Sequence, residues 1–158
     1  MNPEIEKVLS KFSYGIYLLT CRHEDVNYGM IISWVTQASY DPPLVLASVK
    51  RTRRVLPFIE KAKYFSLQVL ENTQADLLAS FKTPNLEERF AGLSYQVLDT
   101  GVPVLTNVLA YVECKLKEIF TPGDHALLVG EIVSGECFKE HGIPLTCKDL
   151  GKVYLGKY

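Results

Sequence analysis

Within seven residues, "SVKRTRR", the chain sets Lys50, Arg51, Arg53 and Arg54 beside the hydroxyls of Ser48 and Thr52. Cations that donate several N–H bonds, hydroxyls, and the free backbone N–H groups of a turn make up the donor set that a phosphate needs. The stretch follows "PPLVLA", an aliphatic run that belongs in a buried strand, so the bases stand at the rim of a core. Thr52 is placed to cap a following helix, with Arg53 and Arg54 in its first turn. Cations there face the positive end of the helix dipole, and a bound anion would reverse the sign of that interaction. The alternative is a solvated charged loop with no ligand.

The rest of the chain narrows what that anion could be. The 158 residues are 47% hydrophobic and 22% charged with a formal net charge of -1, which fits one soluble globular domain over 1–158. A nucleic-acid binder carries a basic excess over a whole face, so the target of the cluster is small and local. The N-terminal "MNPEIEKVLSKF" lacks an apolar leader, and no stretch reaches the ~20 apolar residues of a membrane helix. Cys21, Cys114, Cys137 and Cys147 show no C-x-x-C spacing and read as reduced, mostly buried thiols of a cytoplasmic protein.

Self-contained catalytic machinery is missing. The sequence has no G-x-G-x-x-G, no phosphate-binding P-loop and no G-x-S-x-G. His23, His125 and His141 stand apart without metal-ligand spacing, so no metal site is expected. An enzyme built this way takes its chemistry from a cofactor.

The elements that would position the bases are mostly strands. Asn2, Pro3 and the stripe Ile5, Val8, Leu9, Phe12 predict an N-terminal helix. "YGIYLLT" and "NYGMIISWVTQAS" read as strands joined by the polar "RHEDV". "PLVLASV" and "YFSLQVL" are two more, separated by the short helix "TRRVLPFIEKAK", which Pro57 weakens. Thr73 with Asp76 and Asn85 with Glu88 resemble capping boxes of two further helices. Ala110, Val112, Cys114 and Leu116 alternate with Tyr111, Glu113, Lys115 and Lys117, the period of a strand with one wet face. "ALLVGEIVSGECF" and the C-terminal "KVYLGKY" complete the set. With few helices between strands, the pattern is mainly β, an antiparallel barrel with short helical insertions.

The stretch "YGMIISWVTQASYDPPLVLASVK" resembles the flavin reductase-like family, through Ser33, Trp34, Gln37, Ser39, Pro42, Pro43, Leu44 and Val45. "KFSYGIYLLT", "YFSLQVL", "ADLLASF", "GDHALLVGEIV" and "YLGKY" are similar to further family elements, in the same order along nearly the whole chain. The resemblance implies an antiparallel Greek-key split β-barrel that binds FMN, with FAD as the lesser alternative. It implies ring contacts at Ile32, Ser33, Trp34 and Val35, with Gln37 just beyond. It places the phosphate at Ser48, Val49, Lys50, Arg51, Thr52 and Arg54, and Phe81 at one flavin edge. His125, in the G-D-H motif, falls near the flavin or an incoming nicotinamide. Each of these three side chains also has a plain structural use: Trp34 as core filler, Phe81 in helix packing, His125 as a turn residue with a satisfied hydrogen bond.

The activity so implied is NAD(P)H-dependent flavin reduction, by hydride transfer from NADH or NADPH to flavin N5. Reduced flavin or electrons then pass to a partner oxygenase or redox protein. An FMN electron carrier without nicotinamide activity, and a β-barrel binding module without flavin, are the rival classes. Family members are homodimers, and the 9 Tyr and 7 Phe of this chain are compatible with an aromatic interface.

Overall fold

The computed structural model describes residues 1–156. Helix α1 (Pro3–Leu9) starts as expected, with the Glu4 N–H donating to Asn2 Oδ1 at 2.8 Å. Its apolar stripe, however, is not buried: Ile5, Val8 and Phe12 are all exposed.

Strands β1 (Tyr17–His23) and β2 (Val26–Ile32) form a hairpin whose turn residues Glu24 and Asp25 both have positive φ. Such a turn matches the twist of the flanking strands, so pairing runs to His23↔Val26 and most of "RHEDV" is strand. The long strand expected over 27–39 is broken. At Ser33 and Trp34 the chain leaves β2 and starts β3 (Val35–Ser39) on the opposite edge of the sheet.

Strand β4 (Leu44–Lys50) pairs with β3, and helix α2 (Leu56–Ala62) leads into β5 (Tyr64–Val69). Thr52 does not cap α2: the helix begins at Leu56, with Val55 at its N-cap and no side-chain cap. Pro57 sits in the first turn, where no N–H is needed, and therefore does not interrupt the helix.

The two later capping boxes also differ from expectation. Glu71 and Gln74 form one around a 3-10 turn at Asn72–Gln74, and helix α3 (Leu77–Ser80) follows without a side-chain cap from Asp76. Asn85 Oδ1 accepts from the Glu87 N–H at 3.2 Å, but the element it opens, Glu87–Phe90, is a 3-10 turn. Strands β6 (Tyr95–Val97) and β7 (Pro103–Leu105) form a small separate sheet, and β8 (Ala110–Phe120) and β9 (His125–Cys137) complete the main one. Lys152 to Gly156 lie outside any strand, contrary to expectation, and Lys157 and Tyr158 fall outside the described residues.

The main sheet has the order β2-β1-β5-β8-β9-β4-β3, antiparallel throughout. Met30 and Ile32 of β2 share one core with Val45, Ala47 and Val49 of β4, although the two strands lie far apart in that order. The sheet must therefore curl until β2 approaches β4, which makes the split barrel. Two apolar cores result, one inside the barrel and one under β6, β7 and the C-terminal loops.

The second core explains why β8 lacks a wet face at its start. Tyr111 and Glu113, expected outside, are buried beneath those loops, and the Thr100 hydroxyl donates to the Glu113 carboxylate. A buried polar cluster docks β7: the Gln68 amide donates to Pro103 O at 3.1 Å and accepts from the Leu105 N–H at 2.9 Å. The hydroxyls of Thr20 and Ser66 complete it.

Cys21, Cys114 and Cys147 are buried and Cys137 is exposed. Burial pushes the thiols of Cys21 and Cys114 up to about 12. Among the described residues, no helix is long and apolar enough to cross a membrane.

Candidate functional site

A cavity of about 700 Å³ opens where β2 breaks and β4 ends. Part of its lining is apolar: Met30, Ile31 and Ile32 from β2, with Leu78 and Phe81 from the α3 turn. Gly29 lets the rings of Phe81 and Phe90 approach β2, because a Cβ there would lie 2.7 Å from Phe81 Cε1 and 3.2 Å from Phe90 Cζ. The charged part of the lining is cationic throughout. Lys50, Arg53, Arg54, Lys82, Arg89 and Lys152 line the cavity, and no described Asp or Glu does. In a chain of net charge -1 such a one-signed lining is not a sample of the average surface. A neighbouring hollow of about 380 Å³, walled by Tyr28 and Phe58, contains Glu87 and lacks that character.

Local structure fixes the bases. The Arg53 N–H donates to Lys50 O at 2.8 Å, turning the chain just after β4. The Arg54 guanidinium donates to Pro84 O at 2.7 Å, and Arg89 donates to Gly29 O at 2.8 Å and Thr83 O at 3.0 Å. Partial burial, and then the charges of Arg53 and Arg54, hold Arg89 below its ordinary value. These cations repel one another, and an anion between them would relieve that repulsion.

Strand register brings His125 to the same end, since it pairs with Lys50 across β4 and β9. The imidazole is buried, with Nδ1 2.7 Å from the Asp124 carboxylate and Nε2 3.4 Å from the Tyr154 hydroxyl. That hydrogen bond is the main reason why the exposed Asp124 carboxyl lies below its ordinary value. The Trp34 ring lies 4.7 Å from the imidazole, and its buried Nε1 has no hydrogen-bond partner among the described residues. A buried donor without an acceptor is costly, so this N–H marks where a polar ligand atom would be welcome.

Of the residues singled out in the sequence, Ile32, Ser33, Trp34, Ser48, Lys50, Thr52, Arg54 and Phe81 line the cavity together. The others stand elsewhere. Val49 points into the barrel core and Val35 packs against it. Gln37 is exposed on β3, its amide 3.4 Å from Ser39 O. Arg51 is exposed, joined through its backbone N–H to Asp124 O at 2.9 Å. His125 sits behind Trp34 and Tyr154 instead of on the cavity wall. Sequence reasoning passed over Arg53, Lys82, Arg89 and Tyr154 as site residues. Arg53 was already part of the basic cluster, but no local signal marks Arg89, whose place depends on contacts with β2.

The donor set fits a flavin nucleotide. Cations and hydroxyls suit its phosphate, the apolar lining suits a planar ring system, and the Trp34 N–H suits a polar ring edge.

Known proteins give the same direction. The chain is 30% identical over 146 residues to "Diflavin flavoprotein A 1" of Synechocystis sp., covering 90% of this chain but 26% of that protein. It therefore spans about a quarter of the length of that relative. It is 32% identical over 135 residues to the reductase component of a 4-nitrophenol 4-monooxygenase/4-nitrocatechol 2-monooxygenase of Rhodococcus opacus, covering 85% of this chain and 72% of that one. Among solved structures, the flavin reductase HpaC complexed with NADP+ superposes with a TM-score of 0.85 at 26% identity, covering 100% of both chains. The family described as "Flavin reductase like domain" matches residues 9–153, almost the whole of the two cores and the cavity between them, and the chain belongs to it.

Proposed function

We propose that this chain is an oxidoreductase acting on flavin, holding FMN in the basic cavity and reducing it with NADH or NADPH for a partner such as an oxygenase. The observation that carries this reading is a cavity lined by six cations and apolar side chains, with no described carboxylate. Lys50, Arg53 and Arg54 neutralise the phosphate, with Ser48 and Thr52 adding hydroxyl donors. Met30, Ile31 and Ile32 exclude water from the ring, and the Trp34 N–H donates to its polar edge. A flavin bound there supplies the two-electron acceptor for a hydride from the nicotinamide. His125, oriented by Asp124, steadies the donor side and needs to transfer no proton. The Rhodococcus opacus relative, a reductase component, supports a two-component arrangement.

A second reading, an FMN electron-transfer domain without nicotinamide activity, is favoured by the likeness to a diflavin flavoprotein of which this chain spans only a part. Anaerobic addition of NADH, then NADPH, to the FMN-loaded protein separates the two. Bleaching is expected; a flavin that stays oxidised with both donors supports the carrier. His125→Ala should keep its flavin and be reduced about ten- to a hundredfold more slowly, the lower end of what one positioned polar group contributes. Reduction at the parental rate would leave His125 a packing role.

The exposed stripe Ile5, Val8 and Phe12 supports a homodimer with the cavity near its interface. The segment that follows α1 adjoins the cavity: the Tyr14 N–H lies 3.3 Å from Sγ of Cys147, a cavity residue. Sedimentation at micromolar concentration is expected to give a dimer. Monomer with flavin bound would exclude that arrangement.

A further inference from the structure

Lys152, Val153 and Tyr154 border the cavity as part of a strap, 152–156, that belongs to no strand. Gly151 and Gly156 bracket it at φ 65° and 87°, conformations that other residues rarely adopt. Side chains hold the strap down. The Tyr154 ring lies 5.3 Å from Trp34 and 6.2 Å from His125. A Cβ on Gly156 would come within 3.5 Å of both Trp34 and His125, so the strap passes directly over that pair. A cation clamps it: Lys50 Nζ donates to Gly156 O at 2.9 Å, and the positive charge of Arg53 acts on the Tyr154 hydroxyl.

Lys50 is a cavity cation that a phosphate would recruit. A neutral carbonyl is the weaker acceptor for an ammonium group, because an ionised oxygen makes a hydrogen bond about twice as strong. A segment outside any sheet ladder also opens at lower cost than a strand.

We propose that the strap 152–156 is a gate over the Trp34–His125 edge, clamped by Lys50 and released when a phosphate group enters the cavity. The inference rests on the flavin reading above only in taking that phosphate to be the cofactor's. Its functional meaning is an order of events: anion binding draws Lys50 away from Gly156 and uncovers His125, so the donor side opens only once the cofactor is seated.

Trp34, the single tryptophan, lies under the strap and reports on it. Acrylamide quenching of its fluorescence is measured on the flavin-free chain, with inorganic phosphate as the anion and 31P line width as the measure of its binding. Saturating phosphate should raise the quenching constant about twofold or more, as expected when a populated closed state gives way to an open one. Lys50→Met should show the raised value with no anion and little further response to it. Tyr154→Ala, which removes the cover itself, sets the open limit. Phosphate that binds yet leaves Trp34 as shielded as before would overturn the gate. So would a folded Lys50→Met variant with parental quenching. If Lys50→Met does not fold, the phosphate titration of the parent decides. Phosphate that does not bind removes the trigger and the anion site together, a failure of the functional reading that the 31P signal separates from a failure of the gate.

Discussion

Replacing Arg53 and Arg54 together by Ala is expected to weaken FMN binding by about a hundredfold or more while leaving riboflavin binding near the parental value. Each charge-assisted hydrogen bond to a phosphate is worth roughly 1.5–3 kcal/mol, and each 1.4 kcal/mol is a factor of ten. Both guanidinium groups line the cavity, whereas Arg51 is exposed away from it, so Arg51→Ala should cost far less. Riboflavin lacks the phosphate and supplies the control for the fold. Titration followed by flavin fluorescence gives both affinities. Equal losses for the two ligands would mean that the bases shape the loop, where Arg54 bonds Pro84 O, and do not meet a phosphate. The parent's preference for FMN over riboflavin should also shrink as salt is added, because part of it is a screened attraction.

The second large effect concerns stability. Gln68→Leu should lower the free energy of unfolding by about 3 kcal/mol or more, read as a fall in the urea midpoint at unchanged slope. Gln68 is fully buried and answers both the Leu105 N–H and Pro103 O, in contact with Thr20 and Ser66. Leucine has nearly the same size but leaves that N–H without an acceptor inside the protein, and a buried unsatisfied group costs about 1–3 kcal/mol. The cluster acts as a unit, so the loss should exceed that of one bond. A midpoint unchanged from the parent would show that the hydroxyls of Thr20 and Ser66 had taken over.

How much of this was legible depends on how local each signal is. β1, β4, β5 and β9 follow from β-rich runs, because each strand carries its own pattern of burial. The break at Ser33–Trp34 carries no Gly or Pro; it is imposed by β3 crossing to the far edge, where the Ser48 N–H meets Trp34 O at 2.9 Å. The dry start of β8 likewise depends on loops more than a strand away, which alternation cannot register. Thr52 had the chemistry of a cap but not the position, since α2 starts only at Leu56. The basic loop was legible because its residues are consecutive. Arg89 and Tyr154 were not, because they reach the cavity region through contacts with Gly29 and His125 that no spacing encodes.

The buried thiols make the barrel its own clock. Cys137 is open to a thiol-specific label at once, while Cys21 and Cys114 lie in the barrel core with thiols held at about 12. Their reaction must wait for the strands around them to part, because only a solvated thiolate attacks the reagent. Label uptake at Cys21 and Cys114, located by mass, therefore counts excursions of the native chain out of its folded state. Cys147 stands on the cavity wall rather than inside the barrel, so its label timed against the other two would tell opening of the cavity from opening of the fold.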